Sequence, residues 1–326
     1  MHHFKPLLMG AVAGVWLGVG AAQAQDHALT FASAYAANDH QSMSLEEFAR
    51  LAGEYTEGRV AIDVAVAGVL GGERDVAEGI QLGTVDGAVL GGILQNFDDA
   101  MAILEFPFLF DDDDHVRRVM DGEVGEQIAE RLVAETGIRP LGYIMRTPRV
   151  LTTNSPVTSL EDVQGASIRV PEMRAHLETW NALGANPTPM AFTEVYTALQ
   201  LGTVDGQENP LGVIYANRFH EVASHLAQTD HLVGFMLITI SDEVFGRLSE
   251  EDQEALIRAA ADASAYNDEI LAQQAAEWEE AVAAAMEFTQ PDMAEWREAV
   301  AGVPDRFDDV EGFRDLYDAI RDQSDL

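Results

Sequence analysis

The chain has 326 residues and is strongly acidic, with 56 acidic against 19 basic side chains and a formal net charge of −37. A surface this negative repels nucleic acid and anionic membranes, so we expect neither as a partner. Hydrophobic residues make up 47% of the chain, which excludes a disordered acidic protein and is enough for two folded domains. The absence of cysteine excludes disulfides, thiol catalysis and cysteine-bound metals.

The first residues have the pattern of a signal peptide. Lys5 precedes an apolar run over 7–20, and the segment 22–24, Ala-Gln-Ala, fits the small-residue cleavage rule. The run is short for a membrane span, and no later segment is long and apolar enough to cross a bilayer. We therefore expect a signal peptide over 1–24 and an exported mature protein with no membrane insertion. Without a cysteine for lipid attachment the protein is untethered, which favours the periplasm.

Helical and extended patterns alternate along the rest of the chain, which predicts α/β lobes. Strands are predicted at 27–35, 60–69, 85–90, 138–145, 149–153, 166–170 and 232–240. Helices are predicted at 44–55, from Glu73, and at 116–136, 173–183, 194–201, 211–225, 249–286 and 306–321, with a proline-rich turn at 186–190. The helix that starts at Ser249 is far longer than an average helix, so it can brace two lobes.

The heptapeptide Gln-Leu-Gly-Thr-Val-Asp-Gly occurs twice, at 81–87 and 200–206. Each copy closes a helical pattern and opens a strand, which predicts two related lobes with a shared scaffold. A ligand is then expected between the lobes. The second copy continues into polar Gln207, Glu208 and Asn209, whereas the first continues into apolar residues. The second lobe is therefore expected to carry more of the ligand chemistry.

Two arginines are candidates for binding an anion. Ile168 and Val170 point to one face of a predicted strand, so Arg169 points to the other face, near the strand end. A guanidinium there can hold a carboxylate through two parallel hydrogen bonds, although a structural pair with one of the many acids would also explain it. Arg149 opens another strand beside Arg146, and its alternative is a surface ion pair.

Three other residues are candidate ligand contacts. Asn209 lies at a strand end, where open α/β sheets bind ligands, and its side chain both donates and accepts; a turn before Pro210 is the alternative. Glu73 follows two glycines and could reach ligand hydroxyls, or could be a first-turn acid that stabilises the helix dipole. Phe192 could form an apolar wall of the site or belong to the core.

These residues leave three classes of function open. An anion-binding protein leads, an exported hydrolase that uses Glu73 and Glu208 is second, and an acidic structural protein without a small ligand is third. A hydrolase needs a tuned acid–base pair, and none is evident. The chain has no dinucleotide fingerprint, phosphate-binding glycine loop or nucleophile elbow, so we expect no cofactor and no metal.

Several segments resemble the DctP-type solute-binding proteins of TRAP (tripartite ATP-independent periplasmic) transporters. They are 70–74, 104–108, 167–171, 185–196 and 198–210, and the resemblance covers nearly all of the mature chain. It implies a two-lobed periplasmic-binding-protein fold with hinge strands and a long helix spanning both lobes. It also implies a monomer that captures an organic acid anion, either a sugar acid such as a uronate or a C4-dicarboxylate, and delivers it to a TRAP permease.

The resemblance implies roles for the candidate residues. Arg169 matches the arginine that clamps the ligand carboxylate, Arg149 the usual second arginine, and Asn209 the ligand-contacting asparagine. Phe192 and Glu73 match positions that line the cleft.

The resemblance also implies lobe boundaries and bears on the ligand. Lobe I is expected at 25–146 plus about 235–274, and lobe II at 147–234 plus about 275–326. Ala34 stands where sialic-acid binders carry a polar contact, which leaves a sugar acid or a small dicarboxylate ahead of sialic acid.

Overall fold

A computed structural model describes Met1 and residues 27–324, so the predicted signal peptide lies, apart from Met1, outside the described residues. The strands are β1 (His27–Ala32), β2 (Val60–Ala65), β3 (Gly87–Leu90), β4 (Ile138–Met145), β5 (Arg149–Thr153), β6 (Ser167–Val170), β7 (Asn186–Pro189), β8 (Gly206–Pro210), β9 (His225–Leu232), β10 (Phe235–Ser241) and β11 (Glu287–Thr289). The helices are α1 (His40–Tyr55), α2 (Glu73–Leu82), α3 (Asp113–Met120), α4 (Glu123–Thr136), α5 (Arg174–Ala182), α6 (Val195–Gln200), α7 (Leu211–Ala216), α8 (Asp242–Gly246), α9 (Glu250–Ala285), α10 (Met293–Val300) and α11 (Phe313–Arg321).

The strands form two sheets of related topology. Their orders are β2-β1-β3-β10-β4 and β7-β6-β8-β5-β9-β11. In each sheet three parallel strands are followed by one antiparallel strand, which is β10 in the first sheet and β5 in the second. The two predicted α/β lobes are therefore present, one built on each sheet.

The chain crosses between the sheets at neighbouring points. One crossing joins β4 to β5 and the other joins β9 to β10, and the backbone N–H of Arg146 donates to the carbonyl of Gly234 at 3.1 Å between them. Helix α9, of 36 residues, packs against α1 and β4 of the first lobe and against α7 of the second. These hinge strands and this long helix are the predicted ones.

The repeated heptapeptide has the same structural role in both lobes. Gly83 and Gly202 adopt left-handed backbone angles, with φ of 73° and 65°, just after α2 and α6. Asp86 and Asp205 each accept a hydrogen bond from a backbone N–H of the neighbouring parallel strand, at 2.7 and 2.8 Å. The repeat is scaffold, which leaves the strand ends that follow it free to differ.

The last glycine of each copy has no room for a side chain. A methyl group at Gly87 would overlap the carbonyl oxygen of Thr239, and one at Gly206 would overlap that of Thr152. Gly87→Ala should therefore lower the free energy of unfolding by at least about 1–3 kcal/mol, the usual cost of overpacking. Urea unfolding measures this, with Gly246→Ala, which faces open space, as the control. Equal unfolding midpoints for the two variants would contradict the prediction.

Two predicted elements are wrong. The helix predicted at 211–225 ends at Ala216 because Arg218 adopts a left-handed conformation, with φ of 60°, and β9 then begins at His225. The turn predicted at 186–190 is β7, whose two prolines are tolerated because this strand lies at the edge of its sheet.

Two further helices are shorter than predicted. Residues 121–122, Asp-Gly, separate α3 from α4 within the predicted helix 116–136. The last helix begins at Phe313 rather than at 306. Helix α11 packs against α4 and the segment 99–105, and both of these belong to the first half of the chain. The predicted lobe boundaries stay a prediction.

Candidate functional site

The two lobes are in contact along their facing edges. The ring of Tyr35, just after β1, lies 4.7 Å from the ring of Phe192, which follows β7. The side-chain oxygen of Gln95 accepts a hydrogen bond from the backbone N–H of Ala175 at 3.1 Å. A cavity of about 180 Å³ beside the ring of Phe192 is also lined by Ala34. Phe192 thus lies between the lobes, and its contact with a ligand stays a prediction.

Arg169 is buried in this region with only 2% of its surface exposed. Its Nε and Nη2 donate to the carbonyl oxygen of Met190 at 3.1 and 2.7 Å. No acidic side chain among the described residues lies within 4 Å of its guanidinium. Burial lowers the pKa of Arg169 to about 10, which leaves it charged at neutral pH. The alternative of a structural ion pair is therefore wrong for this residue.

Arg149 is equally buried, with 3% of its surface exposed, but it has an acidic partner. Its Nε and Nη2 bind the two carboxylate oxygens of Glu208, the second at 2.7 Å. Nη1 is the one guanidinium nitrogen of Arg149 that does not bind Glu208, and it lies 3.9 Å from Oε1 of Glu105. The pair is buried, so the alternative of a surface ion pair is wrong, and a ligand contact by Arg149 stays a prediction that rests on Nη1.

Asn209 lies inside β8, on the same face of the sheet as Arg169. Arg169 is in register with Gln207 of the adjacent parallel strand, and Gln207 and Asn209 are two residues apart. Asn209 Nδ2 donates to Gln207 Oε1 at 2.6 Å. Its Oδ1 accepts no hydrogen bond from the part of the chain that the structure describes. The turn interpretation is wrong, and the predicted ligand contact would use this oxygen.

Glu73 begins α2, but it does not cap it. The carboxylate of Asp75 accepts a hydrogen bond from the backbone N–H of Gly72 at 2.9 Å, while Glu73 lies in the first turn, where its charge can act on the helix dipole. Glu73 is partly buried, and burial together with Glu105 raises its pKa from 4.5 to about 7, against the opposing effect of nearby arginines. Its carboxyl group therefore belongs to the electrostatics of the cleft, where its ligand contact stays a prediction.

The raised pKa of Glu73 makes stability depend on pH. Because the folded state binds the proton more tightly than the unfolded state, stability falls as pH rises from about 4.5 to about 7. Glu73→Gln should remove this loss, so the variant gains stability relative to the wild type over that window. Urea unfolding at several pH values measures it, with Glu78→Gln on the exposed side of α2 as the control. Parallel curves for wild type and Glu73→Gln would contradict the assignment.

A buried charged network lies behind the candidate residues. It consists of Glu105, Arg146, Arg149, His176, Glu208 and His231. His176 Nδ1 lies 3.2 Å from Glu208 Oε1 and its Nε2 lies 3.7 Å from Glu105 Oε2, which links the lobes. Burial lowers the pKa of His176, but the carboxylates of Glu208 and Glu105 outweigh burial and raise it.

Sequence reasoning missed half of this network. It named Arg149 and Glu208 and mentioned Arg146 only as a neighbour, whereas Glu105 and the two histidines were not considered. An acid inside the apolar run 103–110 was a signal for Glu105. The histidines lie on α5 and β9, and no local pattern marked them.

The network holds its two acids ionised. Burial raises the pKa of Glu105, but Arg146, His176 and Arg149 together outweigh burial and lower the pKa to about 2. Burial likewise raises the pKa of Glu208, and Arg149 with His176 holds it well below its ordinary value. A carboxylate that is bound this firmly is a poor general base, because it takes up a proton only under strongly acidic conditions. This disfavours a hydrolase that uses Glu208.

Two searches of the described residues bear on other functions. No cluster of three or more histidine, aspartate or glutamate side chains there is arranged to hold a metal ion. None of the helices in that part of the chain has the length and apolar character needed to cross a membrane.

Two hinged α/β lobes that enclose an arginine without an acidic partner define a binding protein for a small anion, of the two-lobed periplasmic type. A family model described as bacterial extracellular solute-binding protein, family 7 (DctP) matches residues 31–309. The chain belongs to this family. It is therefore a DctP-type solute-binding protein of a TRAP transporter, as the resemblance implied, and not an enzyme.

Individual relatives agree with the family. A solute-binding protein of Roseobacter denitrificans is 39% identical over 263 residues, which cover 80% of each chain. A crystal structure of a TRAP solute-binding protein from that organism, with bound L-galactonate, has a TM-score of 0.86 and 35% identity and covers 91% of this chain and 99% of the other. One from a Polaromonas species, bound to D-erythronate, has a TM-score of 0.85 and 31% identity, with coverages of 90% and 98%.

Proposed function

We propose that this protein captures a sugar acid, as its monocarboxylate anion, between the two lobes. The observation that carries the proposal is the buried guanidinium of Arg169, which no described acid neutralises. A buried charge is costly unless it is paired, so a ligand carboxylate would supply the missing partner. The Nη1 edge of Arg169 and Oδ1 of Asn209 are available to such a ligand from one face of the sheet.

The charges of the site favour one carboxylate over two. Arg146 and Arg149 already have acidic partners, Glu105 and Glu208, so one arginine is left to neutralise the ligand. A C4-dicarboxylate would bring a second charge without a matching cation. The similar proteins with bound L-galactonate and D-erythronate support a ligand with one carboxylate and several hydroxyls.

A thermal-shift screen tests the ligand class. Aldonates, uronates and C4-dicarboxylates are added to the purified mature chain, and stabilisation is followed by calorimetry. A ligand at about 100 times its Kd stabilises the folded state by about 2.7 kcal/mol, which is easily detected. We expect sugar acids to stabilise the protein and succinate to have little effect. Stabilisation by dicarboxylates alone would select the alternative ligand class, and no stabilisation by any acid would overturn the proposal.

The same proposal includes the place and mode of action. The protein acts as a monomer in the periplasm, closes around the acid and delivers it to the membrane permease of a TRAP transporter. Light scattering reports the oligomeric state, and cell fractionation with and without residues 1–24 reports export. Small-angle scattering should show a smaller radius of gyration with ligand than without, because the closed state binds it better. An unchanged radius at saturation would argue for a rigid site.

A further inference from the structure

Arg146 has a free hydrogen-bonding edge. The residue follows β4 at the hinge and exposes only 2% of its surface. Its Nη1 donates to Oε1 of Glu105 and lies 3.3 Å from the sulfur of Met236. Its Nε and Nη2 are buried and have no hydrogen-bond partner among the described residues. These two nitrogens form the side of the guanidinium that binds two acceptors at once.

Arg149 differs from Arg146 in the use of this edge. In Arg149 the same edge, Nε and Nη2, is filled by the carboxylate of Glu208. A buried donor without an acceptor costs free energy, because it loses its bonds to water and gains none. The free edge of Arg146 thus needs an acceptor from outside the chain, as the guanidinium of Arg169 does.

The surroundings of Arg146 locate this edge in the cleft. Among the arginines, Arg146 has the largest effect in lowering the pKa of Glu73, ahead of Arg169 and Arg149. It also lowers the pKa of Tyr35, which burial and Glu73 raise. Arg149, by contrast, is the arginine that acts on the pKa of Arg169. Tyr35, Glu73 and Arg146 follow or begin elements of the first lobe, β1, α2 and β4, whereas Arg169 lies in β6 of the second lobe. Glu73 also acts on the pKa of Arg169, so it faces the cleft between the two arginines.

We propose that the Nε and Nη2 edge of Arg146 binds hydroxyl oxygens of the sugar acid, at the end of the ligand away from the carboxylate held by Arg169. The inference rests on the proposed function, since it assigns the two ends of the same ligand to two different arginines. A hydroxyl group accepts from Arg146 and at the same time donates to the carboxylate of Glu73.

A second ligand carboxylate fits this end poorly. It could accept from Arg146, but it has no proton to donate to Glu73, and it would add a third negative charge beside Glu73 and Glu105. The pair of Arg146 with Glu105 is neutral as a whole, so it offers hydrogen bonds rather than net charge. Arg146 thus selects for the hydroxylated chain, whereas Arg169 selects for the carboxylate.

Two variants test the proposal with two acids of different length. Arg146→Lys keeps the charge opposite Glu105 but has no second edge. The double variant Arg146→Gln with Glu105→Gln removes both charges, so neither is left buried alone. Binding of L-galactonate and of D-glycerate, which is too short to extend far from Arg169, is measured at pH 8, above the pKa of Glu73, by calorimetry and NMR titration. Arg50→Gln, on the exposed side of α1, is the control.

We expect both variants to weaken L-galactonate binding by about tenfold or more, since two hydrogen bonds to a charged group are lost. D-Glycerate binding should not change. Unchanged L-galactonate binding, or an equal loss for both acids, would overturn the proposal, because an equal loss means that Arg146 acts through the arrangement of the lobes. If the wild type does not bind L-galactonate, the longest sugar acid that stabilises it in the thermal-shift screen takes its place, and a wild type that binds no sugar acid would overturn the proposed function, and this inference with it.

Discussion

Replacement of Arg169 by lysine is expected to weaken sugar-acid binding by about tenfold or more. Lysine keeps the positive charge but loses the planar fork that holds a carboxylate and, at the same time, the carbonyl of Met190. The lost charge-assisted hydrogen bonds are worth at least about 1.5 kcal/mol, which corresponds to roughly a tenfold change in Kd. Calorimetric titration with the acid that gives the largest thermal shift measures the change.

The control for Arg169 is Arg50→Lys. Arg50 is exposed on α1 and pairs with Glu47 and Glu54, so its replacement should leave Kd unchanged. Thermal unfolding without ligand shows whether Arg169→Lys is folded. If the folded variant binds the acid as tightly as the wild type does, Arg169 is not the carboxylate-binding residue.

Removal of Arg149 should produce the largest loss of stability. Arg149→Met leaves Glu208 buried without its strongest partner, with only His176 and His231 close to its carboxylate. Breaking a buried ion pair from one side costs about 3–5 kcal/mol, because the other charge stays uncompensated. Urea unfolding in the absence of ligand measures the effect on the free energy of unfolding.

A second substitution separates this cause from a simple loss of packing. The double variant Arg149→Met with Glu208→Met should recover much of the stability, since no carboxylate is then left alone. Arg50→Met breaks an exposed pair and should cost less than about 1 kcal/mol. If the double variant is as unstable as the sum of the two single variants, the two charges do not stabilise each other.

The sequence was sufficient where the relevant information is local. The alternation around Arg169 placed its side chain on one face near a strand end, and the repeat predicted two lobes with a common scaffold. Ser249 was correctly assigned as the start of the long helix, since a capping residue acts within one turn. Such features depend on neighbours a few residues away, and these are visible in the sequence.

The predictions that failed concern residues whose interaction partners are distant in the sequence. Arg149 looked available from its own surroundings, but Glu208, 59 residues further along, occupies it. Glu73 lies in the first turn of α2, as the helix-dipole alternative expects, and its coupling to Glu105 and the arginines involves residues distant in the chain. Strand β9 was missed because the sequence analysis assigned 226–231 to no element, and the pairing of this strand with β5 joins residues that are distant in the chain. Burial and pairing at long range decide these cases.

The position of β10 separates the order of synthesis from the order of assembly. This strand lies between β3 and β4, yet it begins about ninety residues after the end of β4, when five of the six strands of the second sheet have been made. Until it arrives, β3 and β4 present unpaired edges, which is an unstable and aggregation-prone arrangement. The first sheet can therefore be completed only after most of the second sheet has been made, and its long-range strand pairing slows folding. The first lobe should not fold in a fragment that ends before the second hinge crossing, so it is not an independent module.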